Sequence, residues 1–197
     1  VDDADPKDSA SGIWHYELDL AALSETLSHE HVRVLLWCNP HNPTGRVWTE
    51  DEMFEVARLC AENDVSLVSD EVWAEVIFNE EETPFCGAAS FLNDPDIGAA
   101  LAESGLTVLM SPSKGMNVAG LDLAVAAIPD AQTRQRFTAA SRGQAEIPPF
   151  GYAAANAFFV DSDGEVEEWR QRLITYLKAN RDHVRAVRMC TLPSLTA

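Results

Sequence analysis

Three short apolar runs, at residues 32–38, 65–69 and 107–110, each give way abruptly to a polar motif, and helical patterns separate them. The first, broken only by Arg33, suits a buried strand of a parallel sheet. Thr49, with Glu52 three residues on, predicts a capping box opening a helix through about Glu62. Such alternation predicts an α/β layer with a mostly parallel sheet sandwiched by helices. A further apolar segment lies at residues 71–78, and a strand is expected over residues 121–128, stopped by Pro129 and Asp130. Helices are predicted near residues 18–27, 97–103 (ended by Gly105), 131–142, 152–159 and 166–188. In the last, Trp169, Leu173, Tyr176 and Leu177 are spaced for one buried face. Ligands of such sheets sit outside the carboxyl ends of the strands, so the motifs that follow each strand are candidates for one crevice.

Those motifs are Asn39-Pro40-His41-Asn42-Pro43-Thr44-Gly45, Ser69-Asp70-Glu71-Val72-Trp73 and Ser111-Pro112-Ser113-Lys114. Each alone has an ordinary explanation: a proline-rich surface loop, an aspartate capping a turn, and a surface lysine among serines. Together they offer an amide on a rigid turn, a carboxylate at a strand end and an amine among hydroxyls. These are the groups needed for the phenolic oxygen, ring nitrogen and aldehyde carbon of pyridoxal phosphate, whose protein signature is a Schiff-base lysine with an acidic partner for the pyridinium. Lys114 is one of three lysines, with Lys7 and Lys178. A desolvated lysine has a lowered pKa and can attack an aldehyde as the free amine. Ser111 and Ser113 suit a phosphate, and Gly115, Asn117 and Gly120 suggest backbone held close to something bulky. Asp70 would keep the ring nitrogen protonated, Asn42 would donate to the phenolic oxygen, and Trp73 would flank the cofactor or line a substrate pocket. A core tryptophan is the commoner use of Trp73 taken alone. Glu71 and His41 are expected to be structural, and Trp14, Trp37, Trp48 and Trp169 to serve in packing.

Composition narrows the alternatives. A formal charge of −18 argues against nucleic-acid and anionic-membrane binding, which both reward basic surfaces. With no basic leader and no run of about 18 or more apolar residues, a soluble cytoplasmic protein is expected. Cys38, Cys60, Cys86 and Cys190 form no C-x-x-C pair and are expected reduced. The five histidines lack metal-ligand spacing with them, so no metal site is expected. Neither G-x-G-x-x-G nor a Walker-type motif occurs.

In these motifs the chain resembles the fold-type I, aspartate-aminotransferase-like pyridoxal phosphate enzymes of aminotransferase class I/II. The unbroken Cys38-Asn39-Pro40-His41-Asn42-Pro43-Thr44-Gly45-Arg46-Val47-Trp48 is most similar to the cystathionine β-lyase branch, the MalY/PatB-type C–S lyases. Ser113-Lys114-Gly115-Met116-Asn117-Val118-Ala119-Gly120-Leu121 is similar to the same branch. The resemblance spans roughly residues 32–185. It implies Lys114 bonded to the cofactor aldehyde, Asp70 at the ring nitrogen, Asn42 at the phenolic oxygen, and Ser111 and Ser113 at the phosphate. Ordinary aminotransferases of this type have tyrosine where Trp73 stands and arginine where Asp122 stands, and the lyase branch also lacks that arginine. The implied reaction is therefore β-elimination of a sulfur amino acid to thiol, pyruvate and ammonia, with Lys114 as general base. An aminotransferase and a non-catalytic cofactor-binding remnant are the alternatives. Asp122 cannot serve a phosphate as the arginine would. Members of the family are about twice this length and dimeric. The resemblance thus implies a fragment: residues 1–165 as part of the cofactor-binding large domain, 166–190 as a long helix leading toward a small domain largely absent, and 191–197 as an irregular tail. The full-length protein is expected to be a homodimer acting on a small amino acid.

Overall fold

The capping box at Thr49 forms as its residues dictate. Thr49 Oγ1 accepts from the Glu52 N–H, and the Glu52 carboxylate accepts from the Thr49 N–H at 2.8 Å. The computed structural model describes residues 16–144, 146–160 and 163–191, and the backbone alone of 188–191. The expected irregular entry segment, Trp14 and all but Thr191 of the expected tail lie outside these residues. The elements run α1 (Leu20–Leu27), β1 (Val34–Cys38), α2 (Glu50–Glu62), β2 (Ser66–Asp70), α3 (Gly98–Ser104), β3 (Leu106–Met110), α4 (Pro112–Gly115), β4 (Val125–Ala127), α5 (Ala131–Ala140), α6 (Pro149–Phe159) and α7 (Glu165–Thr191). Short 3-10 turns occupy Ala88–Asn93 and Ala119–Leu121.

The sheet has the order β1-β2-β3-β4, with the first three strands parallel and β4 antiparallel to β3. Cys38 pairs with Asp70 and Asp70 with Leu109, so three adjacent strands end level with one another. Side chains alternate between the two faces. Leu67, Leu106 and Val108 point to one face, where they pack with α2 and α3. Helix α2 suits that role because Met53, Val56, Ala57 and Cys60 recur at helical spacing and all are buried. Its acidic first turn, Glu50 to Glu52, complements the helix dipole.

The opposite face is open at β1, where Val34 is 54% and Leu36 73% exposed. The apolar run at residues 32–38 therefore forms an edge strand with one face in solvent, not the strand buried on both faces that its continuity suggests. Residues 71–78 form turns, because the chain leaves the sheet directly after Asp70. Of the strand expected over residues 121–128 only Val125–Ala127 pairs; Asp122 takes a left-handed conformation that ends the preceding 3-10 turn. In α7 the expected buried face is displaced by one residue. Trp169 and Tyr176 are 37% and 64% exposed, whereas Arg170 and Ile174 are buried. The reason is electrostatic: Arg170 docks the helix through acidic partners, which an apolar pattern does not register. No described helix is long and apolar enough to cross a membrane.

Candidate active site

Each of the three motifs begins at the carboxyl end of one of the three level strands, so the fold gathers them at one edge. The Asn39–Trp48 loop is shaped from within. The Asn39 side chain is fully buried, accepting from the Trp48 N–H at 3.1 Å and donating to the Cys86 carbonyl at 3.0 Å. Its backbone N–H donates to the Asp70 carbonyl at 2.9 Å, joining the first motif to the second. Gly45, at φ 71°, turns the loop back so that His41 and Arg46 pair. His41 Nδ1 lies 2.9 Å from Thr44 Oγ1 and its ring edge faces Trp48, a structural use. Asn42 is exposed at the tip, and its side-chain amide makes no hydrogen bond among the described residues.

Asp70 and Glu71 are sequence neighbours with opposite fates. Asp70 lies on the open face of the sheet; one carboxylate oxygen accepts from the Val72 N–H at 3.2 Å. Glu71 is buried on the core side, accepting from Ser69 Oγ at 2.9 Å and the Ala88 N–H at 2.8 Å. Burial pushes its carboxyl above the ordinary value, these two hydrogen bonds oppose the shift, and the nearby Asp70 charge adds to it. Asn39 and Glu71 thus clamp the same segment, Cys86 to Ala88, from the ends of adjacent strands. Cys38 sits beside Asp70; burial raises its thiol pKa, the Asn42 backbone hydrogen bond lowers it, and the Asp70 charge raises it.

The third motif forms the single turn α4. Ser111 caps it, accepting from the Ser113 N–H at 3.0 Å and donating towards Ser113 Oγ and the Leu123 carbonyl. Ser113 Oγ also reaches the Leu123 carbonyl, at 3.4 Å, so both hydroxyls are engaged; Ser111 is buried and Ser113 is the more accessible of the two. Lys114 is exposed, with Nζ 5.8 Å from the centroid of the Trp73 ring. Trp73, half-buried, is thus a neighbour of the lysine and not a residue of the main core. Gly115 backs this turn against Glu75; a Cβ at that position would lie 2.4 Å from Glu75 Cβ. Asp122 is exposed on the far side of the 3-10 turn.

The chain belongs to the aminotransferase class I and II family, whose model matches residues 12–196. Among curated relatives it is 31% identical over 183 residues to cystathionine β-lyase PatB of Bacillus subtilis, covering 91% of this chain and 44% of that protein. The protein MalY of Escherichia coli is 26% identical over 178 residues, covering 90% and 42%. Cystalysin of Treponema denticola, whose crystal structure contains pyridoxal 5'-phosphate, superposes with a TM-score of 0.74 at 27% identity, covering 86% of this chain and 40% of that one. The chain therefore spans less than half the length of the relatives it matches.

Sequence reasoning singled out groups that face outward and missed two buried residues with remote partners. Asn39 opens the first motif, but nothing in the sequence connects it to Cys86, forty-seven positions away. Arg170 sits in a helix read by its apolar residues, and its partners Glu75 and Glu80 lie ninety or more positions upstream.

Proposed function

We propose that the protein carrying this sequence is a pyridoxal-phosphate-dependent carbon–sulfur β-lyase, converting a sulfur amino acid to a thiol, pyruvate and ammonia. The observation that carries the reading is the level termination of β1, β2 and β3, with Asp70 at the end of β2 and Asn42 and Lys114 four residues beyond the ends of β1 and β3. These residues fit the cofactor. The Asn42 amide and Lys114 amine take no hydrogen bond among the described residues, and one Asp70 oxygen is likewise unoccupied. Bound there, the cofactor would supply the electron sink that stabilises charge left at Cα. Asp70, fixed by the Val72 N–H, would hold a proton at the ring nitrogen, and Asn42 would donate its amide N–H to the phenolic oxygen. Ser113 is the better placed of the two serines for the phosphate, since Ser111 is buried and its bond to the Leu123 carbonyl is the shorter. Lys114 Nζ would move the Cα proton as general base, and Trp73 beside it would flank the cofactor or line the substrate pocket.

The relatives support lyase over transamination, as does tryptophan, not tyrosine, at position 73. Incubation of the intact, cofactor-loaded protein with cystathionine decides between them. Pyruvate released without an oxo-acid acceptor is the expected result; a strict need for the acceptor would make the protein an aminotransferase. Lys114→Ala is expected to abolish the visible absorbance of the lysine-bound cofactor. No band in the unaltered protein would leave a remnant without the cofactor. The same reading takes the intact protein as a cytoplasmic homodimer. Its acidic surface supports the first part, and exposed Phe150 and Tyr152 on α6 support the second, which sedimentation tests.

A further inference from the structure

The turn that leaves Asp70 is braced from behind by α7, and we propose that Arg170 is the positioning residue of that brace, setting through Glu75 where α4 presents Lys114. The inference rests on the cofactor reading above and adds a residue outside the three motifs. Arg170 is 7% exposed. Its guanidinium donates to both oxygens of Glu167 at 2.7 and 2.8 Å, within its own helix. It also reaches across to the Glu75 carbonyl and the Glu80 carboxylate, each at 3.3 Å, with the Glu75 carboxylate 3.8 Å away. Arg181, three turns further on, adds a contact with the Phe78 ring at 5.2 Å.

From Glu75 the contact passes directly to the lysine turn. Gly115 is pressed so closely on Glu75 that a Cβ there would meet Glu75 Cβ at 2.4 Å, and Lys114 is the residue before it. Glu75 is also two residues from Trp73, whose ring faces Lys114 Nζ. A short displacement of Glu75 therefore moves both the lysine and its aromatic neighbour. The bridge forms one wall of a cavity of about 460 Å³, lined by Arg170, Glu167, Glu75 and Glu80 and, opposite, by Met116 and Phe158. Across that space the charged bridge spans from α7 to the segment that backs the lysine turn. A planar, forked guanidinium suits a bridge with this many acceptors in a way that an ammonium does not.

The test uses the intact, cofactor-loaded protein and reads the pH midpoint of the visible absorbance of the lysine-bound cofactor, which reports the surroundings of Lys114 Nζ. Arg170→Met is expected to shift that midpoint by about 0.5 unit or more, with Arg170→Lys recovering part of the shift. Arg172→Met, on the same helix but in an exposed pair with Glu168, is expected to leave it unchanged. Combining Arg170→Met with Glu75→Gln should shift the midpoint by less than the sum of the two single changes. A folded Arg170→Met protein with the unaltered midpoint, or an equal shift in Arg172→Met, overturns the proposal. If Arg170→Met does not fold, Arg170→Lys and Glu75→Gln decide by the same criterion. Absence of the band in the unaltered protein removes the cofactor reading and this inference together. A normal band without pyruvate release overturns only the lyase reading.

Discussion

The two faces of the sheet, built from alternate residues of the same strands, live in different solvents. On one, Leu67 is fully buried and Leu106 and Val108 nearly so, against Met53, Val56, Ala57 and Leu101. On the other, Leu36 is 73% exposed and Asp70 is half-buried at the carboxyl edge. One face holds the fold together, and the other presents the candidate residue Asp70 at its carboxyl edge. A two-residue period makes this division strict, because neighbours on a strand cannot share a face. The adjacent pair Asp70 and Glu71 shows the consequence just beyond the strand end: the first stays on the open face, and the second disappears into the interior to fasten a loop.

The comparison can be broken most forcefully at Leu67. Leu67→Ala is expected to cost about 2–5 kcal/mol in urea unfolding, through lost burial and the cavity left behind. A loss as small as that of an exposed site would mean that the core is not on this face. Next comes Asn39→Ala, which would strand the Trp48 N–H and the Cys86 carbonyl. It is expected to cost about 1–3 kcal/mol and to raise hydrogen exchange at the Trp48 amide. Intact protection in that variant would show that the loop holds its shape by its prolines alone.

Glu71 gives a pH test with a defined sign. Burial raises its folded-state pKa above the ordinary 4.5, so the folded chain holds the proton more tightly than the unfolded one. Stability should then fall as pH rises from about 4.5 through the folded value, and remain level above it. Glu71→Gln keeps an oxygen to accept from Ser69 and the Ala88 N–H while removing the charge. It is expected to flatten that fall and leave stability at neutral pH equal or higher, measured by unfolding at several pH values. A clear loss at neutral pH would show that the charge itself strengthens the clamp. The smallest effect is predicted for Leu36→Ala in the 197-residue chain, within about 0.5 kcal/mol. A cost matching Leu67→Ala would mean that the open face is covered in solution.

Much of the α/β frame was legible because its signals are local. The box at Thr49 and Glu52 opened α2 where expected, Asp130 capped α5, and Gly105, at φ 101°, closed α3. The outward groups Asn42, Asp70 and Lys114 were legible because each follows a strand, and the level ends of those strands bring them to one edge. Less was visible where the partner lies far along the chain. The run at residues 32–38 reads the same whether two faces or one are covered, and only the sheet order makes it an edge. Trp169 and Tyr176 looked like an inner face by apolarity, yet Arg170 turned α7 by pairing with acids distant in sequence.

By itself, the sequence determined most of the longer elements, the α2 cap and the kinds of group placed at the strand ends, since helix, strand and capping preferences act over a few residues. Tertiary structure decided which face of the sheet is interior and which serine of the Ser111 and Ser113 pair is buried. It also decided the remote partners of buried Asn39, Glu71 and Arg170. Those outcomes depend on burial and on hydrogen bonds between remote segments, and neither exists until the chain has closed on itself.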